Sequence, residues 1–185
     1  MQTTLVDNLR ELDESRQTLK HLAQHDTLTG LPNRALFSDR LSQAVTQARR
    51  SRGRMAILFV DLDGFKGVND HHGHHAGDWL LTQVAERMVS CVRAADTVGR
   101  LGGDEFVVLL ASIEKEQDAV VVAEKIRVAL KEAFEGEGLS LRISASVGVA
   151  LFPDHGESEV LLSQSADQAM YQSKARGGDC VVLAT

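Results

Sequence analysis

Apolar positions along this chain fall into two kinds of pattern, helical spacing and short unbroken runs, and the two alternate. In a polar opening segment, Leu5, Leu9, Leu12 and Leu19 follow the 4-3-7 spacing of a heptad seam, with Arg16 and Ala23 at its imperfect positions. This predicts a helix over residues 1–24, either one strand of a parallel coiled coil or an amphipathic helix lying on its own domain. Gly30 and Pro32 mark a turn, Asn33 is placed to cap a helix running to about Arg52, and Gly53 is placed to stop it. The run Met55-Ala56-Ile57-Leu58-Phe59-Val60 predicts a buried strand. A glycine-rich loop follows, then a helix from about Gly77 to Arg93 with Trp79, Leu80, Val84, Met88 and Val89 on its apolar side. A strand near Thr97–Leu101 reverses at Gly102-Gly103 into Val107-Val108-Leu109-Leu110. Beyond it come a helix from about Gln117 to Phe134 and a break at Gly136-Glu137-Gly138. Leu139 to Phe152 reads as a strand with Ile143, Ala145, Val147 and Val149 on one face. A helix over about Ser158–Lys174 and a last strand, Cys180–Leu183, close the order.

The core of this order is β-α-β-β-α-β, which predicts an α+β, ferredoxin-like fold of the kind used as the palm of polymerases and nucleotide cyclases. Extra helices, a C-terminal strand and the N-terminal helix are added to it. The division expected is an N-terminal helix or coiled-coil linker at 1–24 and a globular domain at 25–185. In this topology the first strand lies beside the hairpin, which brings Asp61 next to Asp104 and Glu105.

Bulk composition narrows the function classes. With 185 residues and 43 % hydrophobic content, the chain is long enough for one domain with a real core. A formal charge of −6 argues against a duplex nucleic-acid surface. No apolar run has the length of a membrane span and the start has no signal-peptide pattern, so a cytoplasmic location is expected. Cys91 and Cys180 have no metal-type spacing, and no pairing follows from them. The heptad pattern is already under way at Met1, as in a fragment of a longer protein carrying an upstream sensor domain.

The chemistry gathers at acidic strand ends. Asp104 and Glu105 sit where the hairpin enters its second strand, and Asp61-Leu62-Asp63 closes the first. Carboxylates this close repel unless protons, cations or water relieve them. Together they form an oxygen-rich site suited to Mg²⁺, which is held by one or two carboxylates plus substrate phosphates. The following segment, Gly64-Phe65-Lys66-Gly67-Val68-Asn69-Asp70, has backbone N–H groups and a cation suited to phosphate, although no Walker A motif is present. Asn69 and Asp78 have the donors and acceptors to read a purine edge, and equally suit a loop and a helix start. His71, His72, His74 and His75 invite a zinc site, but no compact His/Cys pattern completes it and an exposed loop explains them as well.

These motifs, taken in order, closely resemble the GGDEF domain of bacterial diguanylate cyclases. The resemblance covers about residues 25–185. It rests on D-x-L-T-G-L-x-N-R (Asp26 to Arg34), D-x-D-x-F-K-x-x-N-D-x-x-G-H-x-x-G-D (Asp61 to Asp78), the signature Gly102 to Phe106, and Lys174. It implies condensation of two GTP into cyclic di-GMP and two pyrophosphates at the interface of a homodimer, with each domain holding one GTP. By matching position, Asp61, Asp104 and the Leu62 carbonyl are implied metal ligands for Mg²⁺, with Mn²⁺ as an alternative. Glu105 is implied at the metal or in proton transfer, and Lys174 at the phosphates. Phe65 and Lys66 match the phosphate loop, and Asn69 and Asp78 the guanine-reading pair. Arg93 and Asp96, an R-x-x-D just before the signature, match an inhibitory product site. The sequence departs from the family at Gly178, where a phosphate-binding arginine often stands, with Arg176 a substitute two positions earlier. It departs again at Lys125, where some members have an arginine. The alternative to an enzyme is a non-catalytic module that binds GTP or cyclic di-GMP.

Overall fold

A computed structural model describes residues 2–185, with side chains from Leu5 onward. Helix α1 (Gln2–Gln24) leads into α2 (Arg34–Ser51) and strand β1 (Arg54–Asp63). Helices α3 (Phe65–His72) and α4 (His74–Cys91) follow, then the hairpin β2 (Thr97–Gly102) and β3 (Glu105–Ile113). Helix α5 (Glu116–Lys131), the short strands β4 (Phe134–Gly136) and β5 (Leu139–Leu141), β6 (Ser144–Phe152), α6 (Glu159–Ala175) and β7 (Val181–Leu183) complete the chain.

The main sheet has the order β2-β3-β1-β6-β7, antiparallel throughout except for the β6–β7 pair. This is the expected ferredoxin-like arrangement with β7 added at one edge. Successive strand residues face opposite sides of a sheet, so each strand serves two layers. Leu58, Val60, Phe106 and Val108 pack with Leu80, Val84, Met88 and Ile126 of α4 and α5. Met55, Ile57, Val107 and Leu109 pack with Phe37, Leu41 and Val45 of α2 and with Leu162 and Ala166 of α6. Continuing the odd positions of β1 and β3 past the core puts Asp61, Asp63 and Glu105 on the α2/α6 side. There α6 lies directly on β6: a Cβ at Gly148 would collide with the backbone of Ala166 and Met170.

The structure departs from the sequence expectations in five places. The glycine-rich stretch after β1 is helical, because Phe65 and Val68 anchor one face of α3 in the core while Gly64 and Gly73, both at positive φ, bound it. Helix α4 therefore starts at His74 rather than Gly77, and its Val89 is exposed rather than in the core. Helix α2 ends on Arg52 in the left-handed conformation, one residue before the glycine expected to stop it. Helix α5 stops at Lys131, and Phe134 turns inward to become fully buried in β4. Arg87 holds that end: its guanidinium lies 3.5 Å from the Phe134 ring centre and donates to the carbonyls of Ala129, Glu132 and Ala133. The first is in the last turn of α5, where a helix leaves carbonyls unpaired, and the other two are in the exit that follows. Finally, the predicted strand 139–152 is split, because Leu139–Leu141 folds back on Phe134–Gly136 through a turn with Glu137 and Gly138 both at positive φ.

Helix α1 does not lie on its own domain. Leu5, Leu9, Leu12, Leu19 and Leu22 are all more than half exposed, so its apolar stripe is uncovered within this chain.

Candidate active site

Strand register brings the acidic groups together. Asp61 is opposite Glu105 in the β1–β3 ladder, and the Leu62 N–H donates to the Asp104 carbonyl at 3.2 Å. The hairpin turn thus closes over the end of β1. Lys174, in the last turn of α6, places Nζ 3.2 Å from Asp61 Oδ2 and 3.7 Å from Asp63 Oδ1. Burial pushes the Asp61 carboxyl up to about 6, helped by the Asp104 charge and by Glu105 and opposed by Lys174.

Asp61 and Asp63 differ in what surrounds them. Asp63 accepts from Ser144 Oγ at 2.9 Å, Ser146 Oγ at 2.8 Å and the Asp179 N–H at 2.9 Å. It ties β1 to β6 and to the turn after α6. Asp61 Oδ1, by contrast, is buried with no hydrogen-bond partner among the described residues. An unpaired buried carboxylate oxygen is costly, and a hard cation is the partner it suits. Among the described residues no three His, Cys, Asp or Glu side chains form a closed metal cluster. A pair such as Asp61 and Asp104 is sufficient for Mg²⁺ when substrate phosphates and water complete the shell. The donor set therefore fits a divalent cation.

Two residues that the sequence reading left without a role hold the signature turn. Arg100 donates through Nε and Nη2 to the Gly103 carbonyl at 3.0 and 2.7 Å, immediately before Asp104. Its Nη1 donates to both Asp26 oxygens at 2.9 and 3.0 Å. Asp26 also accepts from the Thr29 N–H and hydroxyl at 2.9 and 2.7 Å. Burial works against its charge, but the Thr29 and Arg100 hydrogen bonds hold the Asp26 carboxyl below the ordinary range. The D-x-L-T segment is thus a socket for the arginine that grips the hairpin. Asp63 and Arg100 were both recoverable from sequence: one shares a strand face with Asp61, the other precedes the turn on its hairpin.

The remaining expected site residues form two further groups. Phe65 is buried and Lys66 exposed in the first turn of α3, directly after the acidic end of β1. Those first-turn N–H groups have no acceptor within the helix. One turn on, Asn69 packs against Gly77, where any Cβ would collide with Asn69 Oδ1, and Asp78 follows Gly77 on an exposed face. Arg93 and Asp96 lie at the other end of β3, beside Ala111, about 20 Å from Glu105 along the strand. The Asp96 side chain is buried and accepts from the Arg93 N–H at 3.0 Å, Arg93 Nε at 3.3 Å and the Ala111 N–H at 3.3 Å. Arg93 stays exposed and also donates to the Ser112 carbonyl at 2.8 Å. It opens onto a groove of about 590 Å³ that includes Asp118, Val121 and Lys125.

The departures have physical correlates. Gly178 has φ +77°, and a Cβ there would lie 2.8 Å from Asp63 Oδ2, so an arginine at this position is strained twice over. Arg176 is exposed at the end of α6. In the histidine cluster, His75 pairs with Glu137 at 3.1 Å and His71 Nδ1 with the Gly67 carbonyl at 2.7 Å.

Comparison with known proteins gives three findings of one kind. The family model described as "Diguanylate cyclase, GGDEF domain" matches residues 23–180. Among curated proteins, the chain is 50 % identical over 166 residues to the bifunctional diguanylate cyclase/cyclic di-GMP phosphodiesterase MucR of Pseudomonas aeruginosa. That match covers 90 % of this chain and 24 % of MucR. It is 43 % identical over 180 residues to the diguanylate cyclase TpbB of the same organism, covering 94 % of this chain and 41 % of TpbB. The chain thus spans less than half the length of either relative. Among solved structures, the coiled coil and GGDEF domain of DgcB from Caulobacter crescentus, in complex with c-di-GMP, superposes with a TM-score of 0.85 at 28 % identity. It covers 99 % of this chain and 98 % of that one.

Proposed function

This chain belongs to the GGDEF family, and from that premise we propose that it is a diguanylate cyclase, joining two GTP into cyclic di-GMP with release of two pyrophosphates. One observation carries the reading: the half-buried Asp61 carboxylate beside Asp104, with one oxygen buried and unpartnered, on a strand end that runs straight into the N-terminus of α3.

In this reading Asp61 and Asp104, with the Leu62 carbonyl, would hold Mg²⁺ or Mn²⁺. Bound there, a divalent cation neutralises triphosphate charge and lowers the pKa of the ribose 3′-hydroxyl. The chain's own groups do the positioning. Backbone N–H groups of Phe65 and Lys66, the Lys66 ammonium and Lys174 bind the phosphates. Asn69 and Asp78 orient the guanine by its polar edge, with Asp78 accepting from the ring N–H and exocyclic amine. Glu105 faces the same side of the sheet as Asp61 and acts at the metal or on the attacking hydroxyl's proton. Arg100 keeps Asp104 in register by gripping Gly103.

Each domain holds one GTP, so product forms between two domains meeting face to face, and a parallel pairing of α1 raises the concentration of one for the other. Product inhibition acts through Arg93, fixed by Asp96 beside the groove that holds Lys125. An upstream sensor domain and a cytoplasmic setting belong to the same proposal.

Incubation of the chain with GTP and Mg²⁺ over a range of protein concentrations tests it. Cyclic di-GMP should appear, at a rate rising faster than linearly with protein, and Asp104→Ala should lower that rate by about 10²-fold or more while leaving the fold intact. Unchanged turnover in Asp104→Ala overturns the assignment. Binding of cyclic di-GMP without any turnover in the parent chain makes this a regulatory module instead.

A further inference from the structure

We infer that Lys174 is a tethered counter-ion that occupies Asp61 in the empty domain and must leave it before a divalent cation can bind. The inference deepens the cyclase reading and rests on it for the identity of the site.

Three features of the structure lead there. The Lys174 ammonium makes its close contact to Asp61, at 3.2 Å, and a longer one to Asp63, at 3.7 Å. Asp63 already accepts from two serine hydroxyls and a backbone N–H, which hold it in place beside the ammonium without depending on it. Asp61 has one oxygen on Lys174 and the other buried and unpaired. One carboxylate is thus built to stay, and the other is half-engaged by a group on a flexible four-carbon stem.

The stem is also well placed to let go. Lys174 is partly exposed in the last turn of α6, and the turn beyond it is clamped independently of the lysine. Asp179 donates its N–H to Asp63 and takes Arg127 and Lys131 on its carboxylate at 2.7 and 2.5 Å. Moving the ammonium therefore breaks the close pair with Asp61 and the longer one with Asp63, and no part of the frame. A triphosphate offers it a stronger anion than Asp61, so nucleotide binding withdraws the lysine and uncovers the carboxylate. Metal and nucleotide then load together, and the empty domain holds divalent cations weakly. Because the two equilibria share one lysine, each ligand tightens the other by the same factor.

Mn²⁺ binding to the nucleotide-free protein, followed by the loss of the free-ion electron paramagnetic resonance signal, tests this directly. Lys174→Met should tighten Mn²⁺ by about two- to fivefold, the range for releasing a partly exposed pair. Lys174→Arg, which keeps the charge, should not. Arg176→Met removes a neighbouring exposed cation and should also change nothing, which separates a specific contact from general charge. Adding Asp61→Asn to Lys174→Met should abolish the gain. Equal or weaker Mn²⁺ binding by Lys174→Met overturns the inference, as does an equal gain in Arg176→Met. A measurement on the unmodified chain guards against a misfolded variant: the Lys174 side-chain resonance should shift when Mg²⁺ and an α,β-methylene GTP are added together, and an unmoved resonance is equally fatal. Turnover of GTP is read separately. A chain that makes cyclic di-GMP but shows no gain in Lys174→Met loses this inference alone. A chain that makes none but shows the gain loses the cyclase reading alone.

Discussion

At the scale of single residues, the site turns on the contrast between two aspartates two positions apart. Both stand in the sequence as one acidic cluster, and only the family match separates them, by putting Asp61 alone at a metal-ligand position. Their partners give the physical difference: Asp63 has three hydrogen-bond donors, while Asp61 has a lysine on one oxygen and no partner among the described residues on the other. The Asp61 carboxyl sits near 6 rather than the ordinary 3.8, with burial the largest cause. A raised carboxyl favours the fold in its neutral form. That contribution is complete below the ordinary value and is lost as pH rises through the folded value. Metal-free protein should therefore lose stability between about pH 4 and 6 through this group. Asp61→Asn, uncharged at every pH, should melt about 3 °C above the parent at pH 7.5 and level with it at pH 4. Coincident melting curves at the higher pH would contradict the environment assigned to Asp61.

At the scale of elements, two small assemblies aim the site. The first is the grip of Arg100 on Gly103, seated in the D-x-L-T turn by Asp26. Arg100→Ala and Asp26→Ala should each cut turnover by at least about tenfold, and the double variant should be little worse than either, since both break one unit. Additive losses would mean that the two act separately. The second is the α3–α4 hairpin, whose tight packing depends on a bare Gly77 beneath Asn69. Gly77→Ala should displace Asn69, raise KM for GTP and reduce the preference for GTP over ATP by about tenfold, with kcat less affected. Retained selectivity would show that Asn69 does not read the base. Glycines drew the sequence reading toward a loop here. What made a helix of it was Phe65 and Val68 reaching a core that the sequence does not reveal.

At the scale of the whole molecule, β3 has carboxylates at one end and Arg93 and Asp96 at the other. In the proposed cyclase that distance makes chemistry and feedback separable by mutation. Arg93→Ala should turn over GTP at the parent's initial rate and lose inhibition by added cyclic di-GMP, and superposed inhibition curves would remove the product-site assignment. Helix α1 carries its leucines in the open, and no described helix is long and apolar enough to cross a membrane. Leu12→Asp should depress turnover mainly at low protein concentration, where assembly limits the rate, and leave the rate at saturating protein little changed.

The sequence by itself determined the family, the βαββαβ order and the identity of nearly every charged group in the site. Apolar runs, turn glycines and motif spacing are local signals, written in consecutive residues. The tertiary structure alone decided that Asp61 keeps one oxygen unpaired, that Asp26 seats Arg100, that Asn69 needs a bare Gly77 and that a side chain at Gly178 would crowd Asp63. Those relations are fixed by strand register and helix packing, which depend on the whole fold and not on a run of consecutive residues.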